Sequence, residues 1–148
     1  MSAPESSLTS AHAEVKAEIA RTDTKTGLLL AFVGAVLAGA WTVAKDVPLT
    51  VPAYVAGGFG MGLLVAAADV LLRAVRPNLG GGRGFPLWAT LTAEEISATL
   101  AGDLAADIAG LSRIAVAKFT NLRRAVHLTR AGGALLILAA LLALGGAA

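Results

Sequence analysis

Residues 27–44 read GLLLAFVGAVLAGAWTVA, without one ionisable side chain. A helix rising 1.5 Å per residue carries this stretch through roughly 27 Å, close to the hydrocarbon thickness of a bilayer. A second apolar stretch covers residues 51–72. A third, AGGALLILAALLALGGA, covers 131–147. The chain therefore reads as an all-α membrane protein with three transmembrane helices, at 27–45, 51–72 and 131–147. An Ala-rich soluble bundle would share the 56% hydrophobic composition. Core helices of soluble proteins, however, rarely run so far without a charge.

Charge placement orients the spans. Lys16, Arg21 and Lys25 precede the first. Arg73, Arg76, Arg83, Arg113, Lys118, Arg123, Arg124 and Arg130 lie between the second and the third, and only Lys45 lies between the first two. Cytoplasmic loops carry the excess of Lys and Arg. The N-terminal segment (1–26) and the middle segment (73–130) are therefore expected in the cytoplasm. The short link at 45–50 and the C-terminus are expected outside. About two dozen polar, partly acidic residues before the first span argue against a cleaved signal peptide. The chain has no cysteine, hence no disulfide, thiolate nucleophile or Cys-based metal site, and its two histidines suggest no metal cluster. The net charge of +2 is modest. Its cations gather near membrane edges, where anionic lipid explains them without a nucleic-acid partner.

Met1–Ser7 has a disordered composition. Ser10 is placed to cap a short helix over residues 11–22 that runs on into the first span. Asp46, Val47 and Pro48 end that span. The first two spans are rich in small residues. Gly34 with Ala38, Ala35 with Gly39 and Gly58 with Gly62 have the small-xxx-small spacing that lets helices approach closely. Gly34, Gly58 and Gly62 are thus candidate packing positions, either between the two spans or between copies in a homo-oligomer. Asp69 and Arg73 are spaced for an i,i+4 ion pair, though an acid at that depth can also line a water path.

Between the second and third spans the expectation is a loop followed by a cytoplasmic amphipathic helix. PNLGGGRGFP at 77–86 lacks the Gly-Lys-Ser/Thr ending of a phosphate loop. Phe85, Leu87 and Trp88 form a short apolar cluster. Thr92 and Glu95 have the spacing of a capping box. Ile96, Leu100, Leu104, Ile108, Leu111, Ala115, Phe119, Leu122 and Val126 recur at helical intervals as an apolar stripe, with Asp103, Asp107, Arg113, Lys118, Asn121 and Arg124 mostly off it. The periodicity reaches the third span, so one long helix is expected, with bends possible at Gly102, Gly110 or Gly132-Gly133.

No catalytic constellation is present, and the reading is of a non-enzyme without cofactor or metal. HExxH and GxSxG are absent, and Glu94, Glu95, Asp103 and Asp107 read as a solvated face. Two patches have the chemistry of an anion site. One is Asp23-Thr24-Lys25. The other is Arg113, Lys118, Asn121 and Arg124, in which Lys118 and Asn121 can face one ligand together. The alternative is that these cations anchor the helix to lipid headgroups.

Three stretches are similar to the membrane effectors of Pycsar antiphage systems, the PycTM-type domain. They are ARTDTKTGLLLAFVG at 20–34, FPLW at 85–88 before an acidic helix, and LSRIAVAKFTNLRRA at 111–125. The likeness covers most of the chain from about Ala20, and Phe119 stands where the family commonly has tyrosine. The resemblance implies a defence effector in the bacterial plasma membrane. Its partner, a pyrimidine cyclase, would supply cyclic CMP or cyclic UMP. The effector would respond by impairing the membrane, and infection would abort. It singles out Asp23, Lys25, Arg113, Lys118 and Asn121 as ligand-binding candidates. A small accessory membrane protein that binds a partner, or a holin-like pore former without nucleotide control, are the other classes the sequence allows.

Overall fold

A computed structural model of the chain describes residues 3–76, 89–100 and 104–145, with side chains described from residue 6 onward except at 97–100. The loop at 77–86, the cluster at Phe85, Leu87 and Trp88, and Gly102 and Asp103 lie outside the described residues. Every described element is an α-helix: α1 (Ala3–Asp46), α2 (Val51–Val75), α3 (Ala93–Leu100) and α4 (Leu104–Gly145). Three of them, α1, α2 and α4, are long and apolar enough to cross a membrane.

α1 begins at Ala3, so Ser10 is an interior residue and not a cap. The residues ahead of it are mostly helix-compatible, and Pro4 falls in the first turn, where its missing N–H does no harm. The polar run 22–26 does not break the helix. Thr24 Oγ1 donates to the Ala20 carbonyl at 3.1 Å, and Thr26 Oγ1 to the Thr22 carbonyl at 2.8 Å. Thr42 and Thr129 bond back one turn in the same way. Such bonds satisfy a hydroxyl inside the helix, as a lipid environment demands. Past Asp46 one last helical bond runs from Val47 N–H to the Val43 carbonyl, and Pro48 prevents continuation. Thr50 then caps α2. Its carbonyl accepts from Tyr54 N–H, and its hydroxyl from Ala53 N–H.

Contacts divide the chain into two units: Met1–Ile19 with Arg76–Val116, and Ala20–Val75 with Ala117–Ala148. In the first unit, α3 opens on the expected capping box. Thr92 N–H donates to Glu95 Oε2 at 2.8 Å, and Glu95 N–H to Thr92 Oγ1 at 3.3 Å. Thr92→Ala is expected to lower the stability of α3 by about 1 kcal/mol. Amide hydrogen exchange checks this: the Glu95 amide should exchange faster, and unchanged exchange would show that the box is idle.

The second unit is a three-helix bundle. Its buried positions recur at three or four residues: Thr22, Thr26 and Val33 on α1; Ala53, Gly60, Leu64, Ala67 and Leu71 on α2; Ala125, Gly132 and Ala139 on α4. Large apolar side chains such as Phe32, Val43, Phe59, Val65, Ile137 and Leu141 point outward. That inversion suits helices whose outer surface meets lipid. Trp41 and Tyr54, both exposed, stand near the link between α1 and α2, where amphipathic rings mark a headgroup boundary.

α2 and α4 run antiparallel and meet at glycine. A Cβ on Gly60 would lie 2.9 Å from the Gly132 carbonyl oxygen, and one on Gly132 would lie 2.8 Å from that of Gly60. Gly132 is thus a point of backbone approach, and α4 passes both it and Gly110 as one unbroken helix. A Cβ at Gly34, Gly58 or Gly62 would meet nothing within 4 Å, so these three do not pack the bundle of one chain.

The apolar stripe of α4 also shifts. Ile108, Leu111, Ala115 and Leu122 are half-buried as expected, but Phe119 and Val126 are exposed while Lys118 and Asn121 turn inward. The reason is a polar partner on α1, which lets a lysine occupy an inner position that an apolar count assigns to its neighbour.

Candidate functional site

One end of the three-helix bundle gathers polar side chains from all three helices. α1 brings Thr22, Asp23 and Thr26. Its two threonines are buried, and Asp23, on the turn they bracket, reaches across to α4. There Lys118 donates its ammonium to Asp23 Oδ1 at 2.5 Å. The Lys118 side chain is 24% exposed and that of Asp23 48%. Half-exposed, the aspartate remains open to exchange of its partner.

Beside this pair, Asp69, Val70 and Arg73 of α2 and Asn121 and Arg124 of α4 line a cleft of about 240 Å³. Arg73 Nη2 lies 2.8 Å from Asp69 Oδ2, the i,i+4 ion pair expected from the spacing. Both side chains are more than half exposed, so the pair adds little stability. Its effect is to hold the Arg73 guanidinium at the cleft wall. Among the described residues, neither Asn121 nor Arg124 has a side-chain partner. Two arginines against one aspartate leave the cleft with one net positive charge. Free amide and guanidinium donors with that charge suit a singly charged phosphodiester.

The structure sorts the residues singled out from the sequence. Asp23 and Lys118 are brought into contact, although 95 positions apart. Asn121 sits one turn further along α4, in the adjoining cleft. Lys25 is exposed on α1 and does not line that cleft. Arg113 is exposed, falls in the other unit and is not among the residues that line this cleft. Asp69 and Arg73 read in sequence only as an ion pair, and nothing local shows that they face Asn121. The Thr22-xxx-Thr26 spacing was a legible sign of a buried polar face. No group of three His, Cys, Asp or Glu gathers to hold a metal among the described residues.

No curated protein and no solved structure matches the chain. The model of the Pycsar effector protein domain, PycTM, matches residues 7–145, a stretch that takes in α1 from Ser7 onward, all of α2 and α4, and every residue of the polar end of the bundle. The chain belongs to the PycTM family of Pycsar effector proteins.

Proposed function

We propose that this chain is the membrane effector of a Pycsar antiphage system, which answers cyclic CMP or cyclic UMP from a partner pyrimidine cyclase by impairing the cell membrane. The observation that carries the reading is the family match over residues 7–145, laid on three helices able to cross a membrane. Family membership supports the antiphage role, and the polar end of the bundle suggests how a nucleotide acts. A cyclic mononucleotide carries one negative charge on its phosphodiester. Lys118, Asn121 and Arg124 present donors suited to it, and Asp23 can release Lys118 to the phosphate or accept a hydrogen bond from base or sugar. Contacts to α1, α2 and α4 at once would couple ligand to the packing of the spans.

The deciding experiment is dye release from liposomes bearing the purified protein, with cyclic CMP, cyclic UMP, cyclic AMP or no nucleotide. Release with a cyclic pyrimidine nucleotide alone is the expected result. Equal release without nucleotide would favour a holin-like pore former, and no release with any of them an accessory protein.

The proposal places the N-terminus in the cytoplasm and the link between α1 and α2 outside, from the Lys and Arg asymmetry. Single cysteines at Ser6, Thr50 and Ala147 test it with an impermeant thiol reagent on intact cells. Thr50→Cys and Ala147→Cys should label and Ser6→Cys should not; the reverse pattern would invert the topology. Association of copies belongs to the same proposal. Gly34, Gly58 and Gly62 have open space around them within one chain, so they remain free for close approach by another. Replacing Gly58 and Gly62 together with Leu should abolish cross-linked oligomers in membranes while leaving monomer helicity unchanged. Unaltered oligomers would exclude that face.

A further inference from the structure

The register of the bundle puts charge where the first two helices are apolar. The Asp23–Lys118 pair ties α1 to α4 at one end. Counting up from it at 1.5 Å per residue, Arg130 stands about 18 Å along α4. Gly27, where the apolar stretch of α1 begins, stands only about 6 Å along α1. Measured against the apolar stretch of α1, Arg130 therefore stands about 12 Å inside, near its middle, and not at the cytoplasmic edge that the span 131–147 alone would give it. The second anchor agrees. Gly60 meets Gly132, so Arg130 lies near the level of Gly62, halfway along the apolar stretch 51–72 of α2. His127 lies roughly at the levels of Phe32 and Val65.

Arg123, His127 and Arg130 follow at four and three residues, on one face of α4. All three are exposed, and among the described residues none has a side-chain partner. Arg123, near the edge of the layer, can reach headgroups. Arg130, at half depth, is farther from either edge than its own side chain is long. Lipid is thus an unfavourable neighbour for it, and ionisable residues at such depth face a bundle interior or a water-filled cavity. The membrane-crossing unit of a second copy brings no counter-charge at that depth. The acids of this unit are Asp23, Asp46 and Asp69, all near the ends of the apolar stretches. Packed copies would leave the arginines unneutralised, so water and mobile anions must solvate them.

We infer that the Arg123–His127–Arg130 face of α4 lines a water-filled path enclosed by several copies of the chain, and that this path favours anions. The open positions at Gly34, Gly58 and Gly62 offer a separate surface for the copies to meet. Rings of arginine select anions in pores. The inference deepens the membrane-impairing reading by naming what passes and along which helix. Hydration of the face can be tested without any conduction.

Since the chain has no cysteine, single replacements report cleanly. In liposomes of phosphatidylethanolamine and phosphatidylglycerol, with cyclic CMP, cyclic UMP or neither, a charged methanethiosulfonate reagent should modify His127→Cys and Arg130→Cys. It should leave Phe32→Cys and Val65→Cys, exposed at similar depth, unmodified. Ala134→Cys, one turn further on the same face, keeps the test open where loss of an arginine disturbs folding. Protection of all three α4 positions in every condition, matching Phe32→Cys and Val65→Cys, overturns the inference, even if nucleotide-dependent leakage stands. Labelling without leakage upholds the hydrated face while the nucleotide reading fails. Where current flows across a KCl gradient, the reversal potential should lie toward chloride, and Arg130→Glu should move it toward potassium. An unmoved potential overturns the anion preference.

Discussion

Lys118→Ala is expected to raise the cyclic nucleotide concentration for half-maximal dye release about 10- to 150-fold. A charge-assisted hydrogen bond is worth about 1.5–3 kcal/mol, and each 1.4 kcal/mol is a factor of ten in affinity. Arg124→Ala should act in the same range, because its guanidinium lines the cleft beside Asn121 and has no described partner to lose. If the cleft binds the nucleotide through its lining alone, Arg113→Ala should leave the response near wild type, since Arg113 does not line it. Dose–response curves for the three variants, at matched insertion, separate these outcomes. If Lys118→Ala and Arg124→Ala both insert normally and respond at the wild-type concentration, those cations are lipid anchors and the sensor lies elsewhere.

Gly132→Val is expected to disrupt the bundle. Its Cβ would fall 2.8 Å from the Gly60 carbonyl oxygen and 3.0 Å from Leu64 Cγ, and a backbone oxygen in a helix cannot swing aside as a side-chain tip can. Overpacking of this kind costs about 1–3 kcal/mol, occasionally more. The γ-methyl groups of valine add to the clash. Gly60→Ala should do likewise, with the Gly132 oxygen 2.9 Å from its Cβ. Gly58→Ala, with nothing within 4 Å, should leave the stability of one chain unchanged. Thermal unfolding in detergent, followed by circular dichroism, gives the comparison. Equal midpoints for Gly132→Val and Gly58→Ala would refute the backbone contact.

The two glycine sets show where sequence reading stopped. Gly58-xxx-Gly62 is the more conspicuous motif, yet the bundle packs through Gly60 and Gly132. Small-xxx-small spacing shows that a helix face permits close approach, but not which face the neighbour takes. That choice depends on the rotation of each helix about its axis, a tertiary variable set by all the side chains of the bundle together. The same rotation turned Lys118 inward and Phe119 outward, against the apolar count along α4.

Local chemistry determined what could be read from the sequence itself: three apolar stretches, the ends of α1 and α2 at Asp46 and Thr50, the Thr92–Glu95 box, the Asp69–Arg73 pair, and the family likeness. Each depends on residues within a turn or two of one another, or on plain hydrophobicity summed along a helix. The structure alone decided the pairing of Asp23 with Lys118, the cleft that joins Asp69 and Arg73 to Asn121 and Arg124, and the register that sets Arg130 beside the middle of α2. These depend on the register of one helix against another. Register is set by a backbone contact such as Gly60 on Gly132, whose partners lie 72 positions apart, and no periodicity along a single helix encodes it.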